Sequence, residues 1–305
     1  MRRVLFLNPY QDTGGVGISF QRAFQRWAPD WSARHVRRSN NYISYEADIE
    51  WPGGTQSPEV AKLYREADVL HVMERPEILG ELGSTNAKIV VHHLGSFYRS
   101  DPGSVSAQCK ALGAIEVTSG DLLGLQPHLR YLPIPAMELD RLAALRKPRR
   151  PSGRLRIAHA PTNREAKGTE GILAAVKRLQ GRHKLIFDLI EGVPWAECVK
   201  RKARADIYVD ETRLGYGLNA MECWAMGIPV VSGITDPIAR DRMIADFGGL
   251  PFLETTEAMV ETTLEMLITD PVLRAEWGER GRAHVQAVHH PKAVVERTIA
   301  IYEEA

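Results

Sequence analysis

Short apolar runs alternate along this chain with segments whose apolar residues recur every three or four positions. RVLFLN (3–8), ADVLHVM (67–73), AKIVVHHLG (87–95) and GAIEVTS (113–119) read as strands. Their hydrophobicity is continuous rather than alternating, which suits parallel strands covered on both faces. After the first run come the glycine-rich DTGGVG and the amphipathic ISFQRAFQRW, a helix pattern. Strands separated by helices need crossover connections and so predict an α/β fold with a doubly wound sheet.

The texture changes between about 133 and 155, where PIPAMELDRLAALRKPRRPSG carries four prolines and a basic cluster and reads as a linker. Alternation then restarts. RLRIAHAP (154–161), HKLIFDLIEG (183–192), ADIYVD (205–210) and IPVVSGI are strands; TEGILAAVKRL (169–179) and NAMECWAMG are helices, the latter stopped by Gly227. Pro194 suits the first turn of another helix, and the last sixty residues read as helical. A length of 305 residues suits two domains. The expected division is 1–140, 141–290, and a helix at 291–305 packing back toward the first domain. Two doubly wound domains facing each other would hold a ligand in the cleft between them, at the carboxyl ends of their strands.

Composition is that of a globular protein, with 44% hydrophobic and 25% charged residues. Lys plus Arg (39) nearly balances Asp plus Glu (38), so overall charge names no polyanionic partner. Locally, Arg22, Arg26, Arg34, Arg37 and Arg38 interleave with Trp27, Trp31 and Tyr42. Such a surface could meet an anionic acceptor, a lipid phosphate or a modified base in nucleic acid, although solvated helix faces account for the same residues. Three cysteines without a CxxC pair indicate reduced thiols and a cytoplasmic setting. The apolar part of MRRVLFLNPY is too short for a signal peptide, and no stretch approaches a membrane span. Peripheral attachment to a membrane through basic residues stays open, and nothing fixes the oligomeric state.

Several motifs carry candidate chemistry. Gly14 and Gly15 lie in a turn between strand and helix, where backbone amides can approach a phosphate or sugar. Phe20 stands where a dinucleotide fingerprint needs a third small residue, so no NAD is expected. No D-x-D occurs, and the paired His92 and His93 point to opposite faces of a strand, so no metal site is expected. Either histidine, ending a strand before Ser96 and Arg99, could face the ligand. Thr162, Asn163, Arg164 and Lys167 precede a helix start, an arrangement suited to a diphosphate. The richest stretch is DETRLGYGLNAMECWAMGIPVV (210–231). Asn219 as N-cap with Glu222 three residues on would form a capping box, and Glu222 could equally hold a ligand.

GYGLNAMECWAMGIPVV resembles the signature of retaining glycosyltransferases of family 4, which have two Rossmann-like domains in the GT-B architecture. NREAKG looks like that family's Arg/Lys pair at the donor diphosphate, and HHLGSFYR resembles its amino-domain strand end near the transferred sugar. The resemblance implies metal-independent transfer of a sugar, hexose or pentose, from a nucleotide diphosphate to a hydroxyl acceptor, with retention and no cofactor beyond the nucleotide-sugar co-substrate. It implies Arg164 and Lys167 at the leaving diphosphate, and His93 or His92 at the transferred sugar or acceptor. Glu222 would hold the ribose, and Gly215, Tyr216, Gly217 and Leu218 the phosphates or sugar. Asn163, Thr162, Glu191 and Val193 would complete the donor site, and Gly14, Gly15, Ser96 and Arg99 the acceptor side. The pattern departs from the family at Leu214, where the first of two acids is usual, and in the Arg164–Lys167 spacing of three rather than five. Asp210 or Glu211 is the expected substitute for the missing acid. A nucleotide-sugar epimerase and a catalytically silent sugar-nucleotide binder are the alternatives.

Overall fold

The apolar runs become parallel strands of two sheets, one in each of two compact units. The computed structural model describes residues 1–39, 43, 45–52, 57–136, 138–146 and 153–304. The first unit comprises Met1–Met137 and Pro291–Ala305, the second Glu138–His290.

In the first unit β1 (Arg2–Gln11) passes through a 3-10 turn at Thr13–Gly15 into α1 (Val16–Trp27). There follow β2 (Trp31–Ser39), β3 (Ile49–Glu50), α2 (Pro58–Glu66), β4 (Val69–Met73), α3 (Ile78–Leu82) and β5 (Lys88–His93). Then come α4 (Ser96–Ser100), α5 (Pro102–Ala111), β6 (Ile115–Thr118) and β7 (Arg130–Tyr131). The sheet runs β3-β2-β1-β4-β5-β6-β7, with every pairing parallel. Chain order reverses between β1 and β4, which opens a crevice at their carboxyl ends. One face of the sheet buries Leu5, Leu7, Leu70, Val72 and Val91.

The second unit contains α6 (Leu139–Leu145), β8 (Leu155–His159), α7 (Arg164–Lys167), α8 (Thr169–Gln180), β9 (Leu185–Leu189) and α9 (Trp195–Lys202). It continues with β10 (Ile207–Glu211), α10 (Leu218–Ala225), β11 (Val230–Ser232), α11 (Pro237–Phe247), β12 (Leu253–Glu254), α12 (Val260–Thr269) and α13 (Pro271–Val288). Its sheet runs β12-β11-β10-β8-β9, again parallel, with the reversal between β8 and β10. The final helix, α14 (Pro291–Glu303), belongs to the first unit, where the Tyr302 hydroxyl meets His71 Nδ1 beside Phe24 and Trp31.

Two sequence expectations change. The arginine-rich stretch after Trp27 is β2, not a solvated helix face, and its cations have partners. Arg34 Nε lies 2.6 Å from Asp48 Oδ2, Arg38 Nη1 lies 3.0 Å from Glu81, and Arg37 pairs with Glu50. Arg22 pairs with Glu46, Arg26 stacks over Trp27 at 5.1 Å, and Tyr42 lies outside the described residues. The expected linker contains α6, whose Arg146 donates to the carbonyls of Ala203 and Ala205; residues 147–152 lie outside the described ones. Among the described residues no helix is long and apolar enough to cross a membrane.

Buried histidines make the fold acid-sensitive. Burial lowers His35, His71 and His284 from 6.5 to about 3 and His159 to about 4, and pushes His92 well down. Their neutral forms are therefore favoured in the fold, while the unfolded chain takes up protons below about 6.5. Stability is present above that pH and is lost as pH falls toward about 3, by roughly 2 kcal/mol per such histidine at pH 5. Asp12, which burial raises from 3.8 to about 6, and Glu74, which burial also raises, act in the opposite sense but are two groups against these five. Urea unfolding at pH 7 and pH 5 should show a clear fall in midpoint on acidification; an unchanged midpoint would contradict this.

Candidate functional site

In the second unit the chain after β8 and β10 converges at the switch point. Asn163 caps α7, its Oδ1 accepting the Ala166 N–H at 3.0 Å. This fixes the turn that carries Arg164 and Lys167. Arg164 is exposed and reaches Glu170 (2.7 Å) and Glu191 (3.0 Å). Lys167 points the other way, its Nζ 3.2 Å from both Asp210 Oδ1 and Glu211 Oε1. Burial opposes the lysine's charge, but the two carboxylates outweigh it and hold the ammonium above its usual range. Two of its three N–H groups are thus engaged. The expectation of two equivalent diphosphate cations gives way to one exposed arginine and one lysine anchored by buried acids.

Asp210 also accepts the Gly217 N–H at 2.8 Å through Oδ2. Both its oxygens are therefore turned inward, and it pins the loop rather than reaching for a sugar. Glu211 is likewise buried. Gly215 (φ +94°) donates its N–H to the Gly233 carbonyl at 2.7 Å, and its own carbonyl accepts the Ser232 hydroxyl, so neither group is left for a ligand. The Tyr216 hydroxyl lies 2.9 Å from His289 Nε2, and its ring packs on Trp224. Leu214 pairs by its backbone with Ile234. Thr162 is exposed, Val193 half-buried and Glu191 exposed beside Arg164.

The capping-box expectation fails. Helix α10 begins at Leu218 with Gly217 at the N-cap, one turn before Glu222, and no side chain caps it. Its first turn therefore has amides that no side chain caps, an arrangement that favours an anion. Asn219 instead bridges the Ala160 carbonyl (3.1 Å) and Lys202 Nζ (2.7 Å). Glu222, 8% exposed, accepts the Trp195 indole N–H at 2.6 Å through Oε1 and pairs with fully buried Lys202 through Oε2. Burial opposes the Lys202 charge, and Glu222 more than restores it.

In the first unit the glycine-rich turn is already filled. Gly14 and Gly15 adopt left-handed φ near +70°, which turns the chain so that the Asp12 carboxylate accepts the N–H groups of Gly17 (2.8 Å) and Ile18 (3.0 Å). An internal carboxylate thus occupies the amides expected to meet a phosphate. His92 and His93 are both fully buried, so neither faces a ligand. His92 meets His71 at 3.3 Å beside Phe20, and His93 meets Glu116 at 2.9 Å. Arg99 is paired with Asp121 at 2.5 Å.

The carboxyl ends of β1, β4 and β5 instead enclose a cavity of about 440 Å³ at the first unit's switch point, with Ser96 in its lining. Sequence reasoning missed its other polar and aromatic walls. The Arg75 guanidinium is held between the Tyr10 ring at 4.4 Å and the Phe97 ring at 4.0 Å. Glu74 sits at φ +73°, a strained value for a residue with a Cβ, and its Oε1 accepts the Leu94 N–H. Burial raises this carboxyl above its usual range. The signal available beforehand was positional: these residues end strands that flank the reversal.

No protein-family model matches the sequence, and no curated protein matches it either. Solved structures do. An α-glucosyltransferase in complex with UDP and a 13-mer DNA containing a central A:G mismatch aligns over 100% of both chains with TM-score 0.70 and 10% identity. Alr3699/HepE of Anabaena in complex with UDP and glucose aligns over 100% of both chains, with TM-score 0.68 and 13% identity. WaaG, a glycosyltransferase involved in lipopolysaccharide biosynthesis, covers 99% of this chain and 100% of its own, with TM-score 0.61 and 14% identity. At such identities the likeness shows the fold: two Rossmann-like α/β domains of the GT-B type.

Proposed function

We propose that the protein is a retaining, metal-independent glycosyltransferase that binds a nucleotide-sugar in its second unit. The observation that carries this is the N-terminus of α10 without a side-chain cap, with Lys167 of the α7 turn beside Gly217, Arg164 exposed on the same turn, and Glu222 one turn into the helix. The UDP-bound glycosyltransferases sharing the fold support the same assignment. Arg164 exchanges its exposed pairs with Glu170 and Glu191 for the donor diphosphate; such pairs contribute little, so the exchange costs little. The amides of α10 and the remaining Lys167 N–H complete the seat and stabilise charge on the leaving diphosphate. Glu222 has acceptor capacity left for ribose hydroxyls, since a carboxylate takes about four hydrogen bonds. A donor phosphate oxygen takes the acceptor's proton, so no protein base is required.

The acceptor is assigned to the cavity of the first unit, where Arg75 and Glu74 offer a cation and a carboxyl group to it. Neighbours described with DNA, in one case DNA containing an HMU base, make a base in DNA one acceptor class, and one described in lipopolysaccharide biosynthesis makes a lipopolysaccharide intermediate another. Arg75, whose ion pair with Glu77 at 3.4 Å is a surface one, is the cation this lining offers an anionic acceptor. A second interpretation, a silent sugar-nucleotide binder, draws on Leu214 and on the inward-turned Asp210 and Glu211. Incubating pure protein with radiolabelled UDP-, GDP- and ADP-sugars and an acceptor panel separates them. Acceptor-dependent transfer without added Mg²⁺ or Mn²⁺ is expected; binding without turnover identifies the silent binder, acceptor-independent isomerisation an epimerase, and dependence on added Mg²⁺ or Mn²⁺ overturns the metal-independent mechanism.

A further inference from the structure

We propose that His93, Cys109 and Glu116 of the first unit form a zinc site, with a water as fourth ligand and His128 orienting Glu116 through its other oxygen. In the pairing of β5 with β6, His93 lies opposite Thr118 and Val91 opposite Glu116, so His93 and Glu116 are diagonal neighbours on one face. Helix α5 brings Cys109 onto that face. One ligand atom from each of the three lies within 4.8 Å of the other two, and all three residues are buried. Imidazole, thiolate and carboxylate together are a donor set that suits zinc. His128 Nε2 sits 2.9 Å from the other Glu116 oxygen, and its half-exposed ring gives the ion an entry path.

A second observation concerns charge. Buried Asp210, Glu211 and Glu222 each face a lysine. Glu116 does not: among the described residues only His93 and His128 lie within ion-pair distance, and the Ser106 hydroxyl donates to it at 2.7 Å. A buried carboxylate without a matching cation is costly, and a divalent ion supplies the missing charge. On binding, the Cys109 thiol releases its proton to water, leaving Zn²⁺, one thiolate and one carboxylate, a neutral set. Stacking on Tyr98, with ring centroids 3.8 Å apart, fixes the His93 ring. The ion would tie β5, β6 and α5 together just before the 94–97 segment that lines the cavity. Its role is structural and independent of nucleotide binding.

The test uses the full chain purified without a metal-affinity tag, analysed by mass spectrometry for metals and then titrated with Zn²⁺ or Co²⁺. About one zinc per chain is expected, and the cobalt form should show a thiolate-to-metal charge-transfer band. Cys109→Ser should remove that band. His128→Ala, at a half-exposed position that leaves the fold intact, should weaken zinc binding at least roughly tenfold. Folded wild-type protein that neither carries zinc nor gains the cobalt band on titration overturns the proposal, as does a band that persists in Cys109→Ser.

Discussion

Glu222→Ala is expected to destabilise the second unit by about 3–5 kcal/mol and to abolish nucleotide binding. The stability loss comes from Lys202, fully buried and paired with Glu222. Removing the carboxylate leaves an uncompensated charge, and also strips the Trp195 N–H of its acceptor. The two effects must be separated, because an unstable protein also binds poorly. Lys202→Met combined with Glu222→Leu removes both charges and should recover much of the stability. That double variant should still fail to bind a nucleoside diphosphate, since nothing replaces the carboxylate proposed to hold the ribose. Urea unfolding and calorimetric titration on the single and double variants check both parts. A stable double variant that binds nucleotide as well as wild type would leave Glu222 a purely structural residue.

Arg164 and Lys167 are expected to part company in the same experiments, although they lie three residues apart. Arg164 is exposed and its ion pairs are surface pairs, so Arg164→Ala should leave the unfolding midpoint essentially unchanged. Its kcat/KM should nevertheless fall roughly 10²-fold, the usual cost of removing a donor aimed at developing charge. Lys167→Met removes the lysine that faces the buried carboxylates of Asp210 and Glu211, and should destabilise by about 3–5 kcal/mol. It should also release the Asp210 contact that pins Gly217 at the entrance to α10. Steady-state kinetics beside chemical denaturation show the contrast. Equal stability losses in the two variants would contradict the assigned roles.

What could be read from the sequence follows a physical line. The strands were legible wherever both faces are covered, because burial on two sides demands an unbroken apolar run, as in VLHVM of β4 and IVVHH of β5. Strand β2 was not. Arg34 and Arg37 interrupt its pattern, and the carboxylates that make them tolerable, Asp48 and Glu50, come 13 or more residues later. Arg164, Lys167, Asp210 and Gly217 could be singled out because they stand at or shortly after the ends of β8 and β10, before the next long helix. Their partners were not legible, since Lys202 reaches Glu222 from another helix and Asp12 fills its own turn's amides. Tyr10, Glu74, Arg75 and Phe97 come from three strand ends that only the strand order places together. Local pattern finds the elements; partner choice across elements needs the fold.

The central claim is that the second unit holds a nucleoside diphosphate through Arg164, the α10 amides and Glu222. The direct test is a thermal-shift titration of the wild-type chain with UDP, GDP, ADP and CDP and their sugars, run beside Arg164→Ala. Binding only to the folded state adds about 2.7 kcal/mol at a hundred times Kd, a shift of a few degrees. At least one nucleotide should raise the wild-type midpoint in a saturable way, with the response lost or displaced to much higher concentration in Arg164→Ala. No shift with any of them, or equal shifts in both proteins, would contradict the assignment.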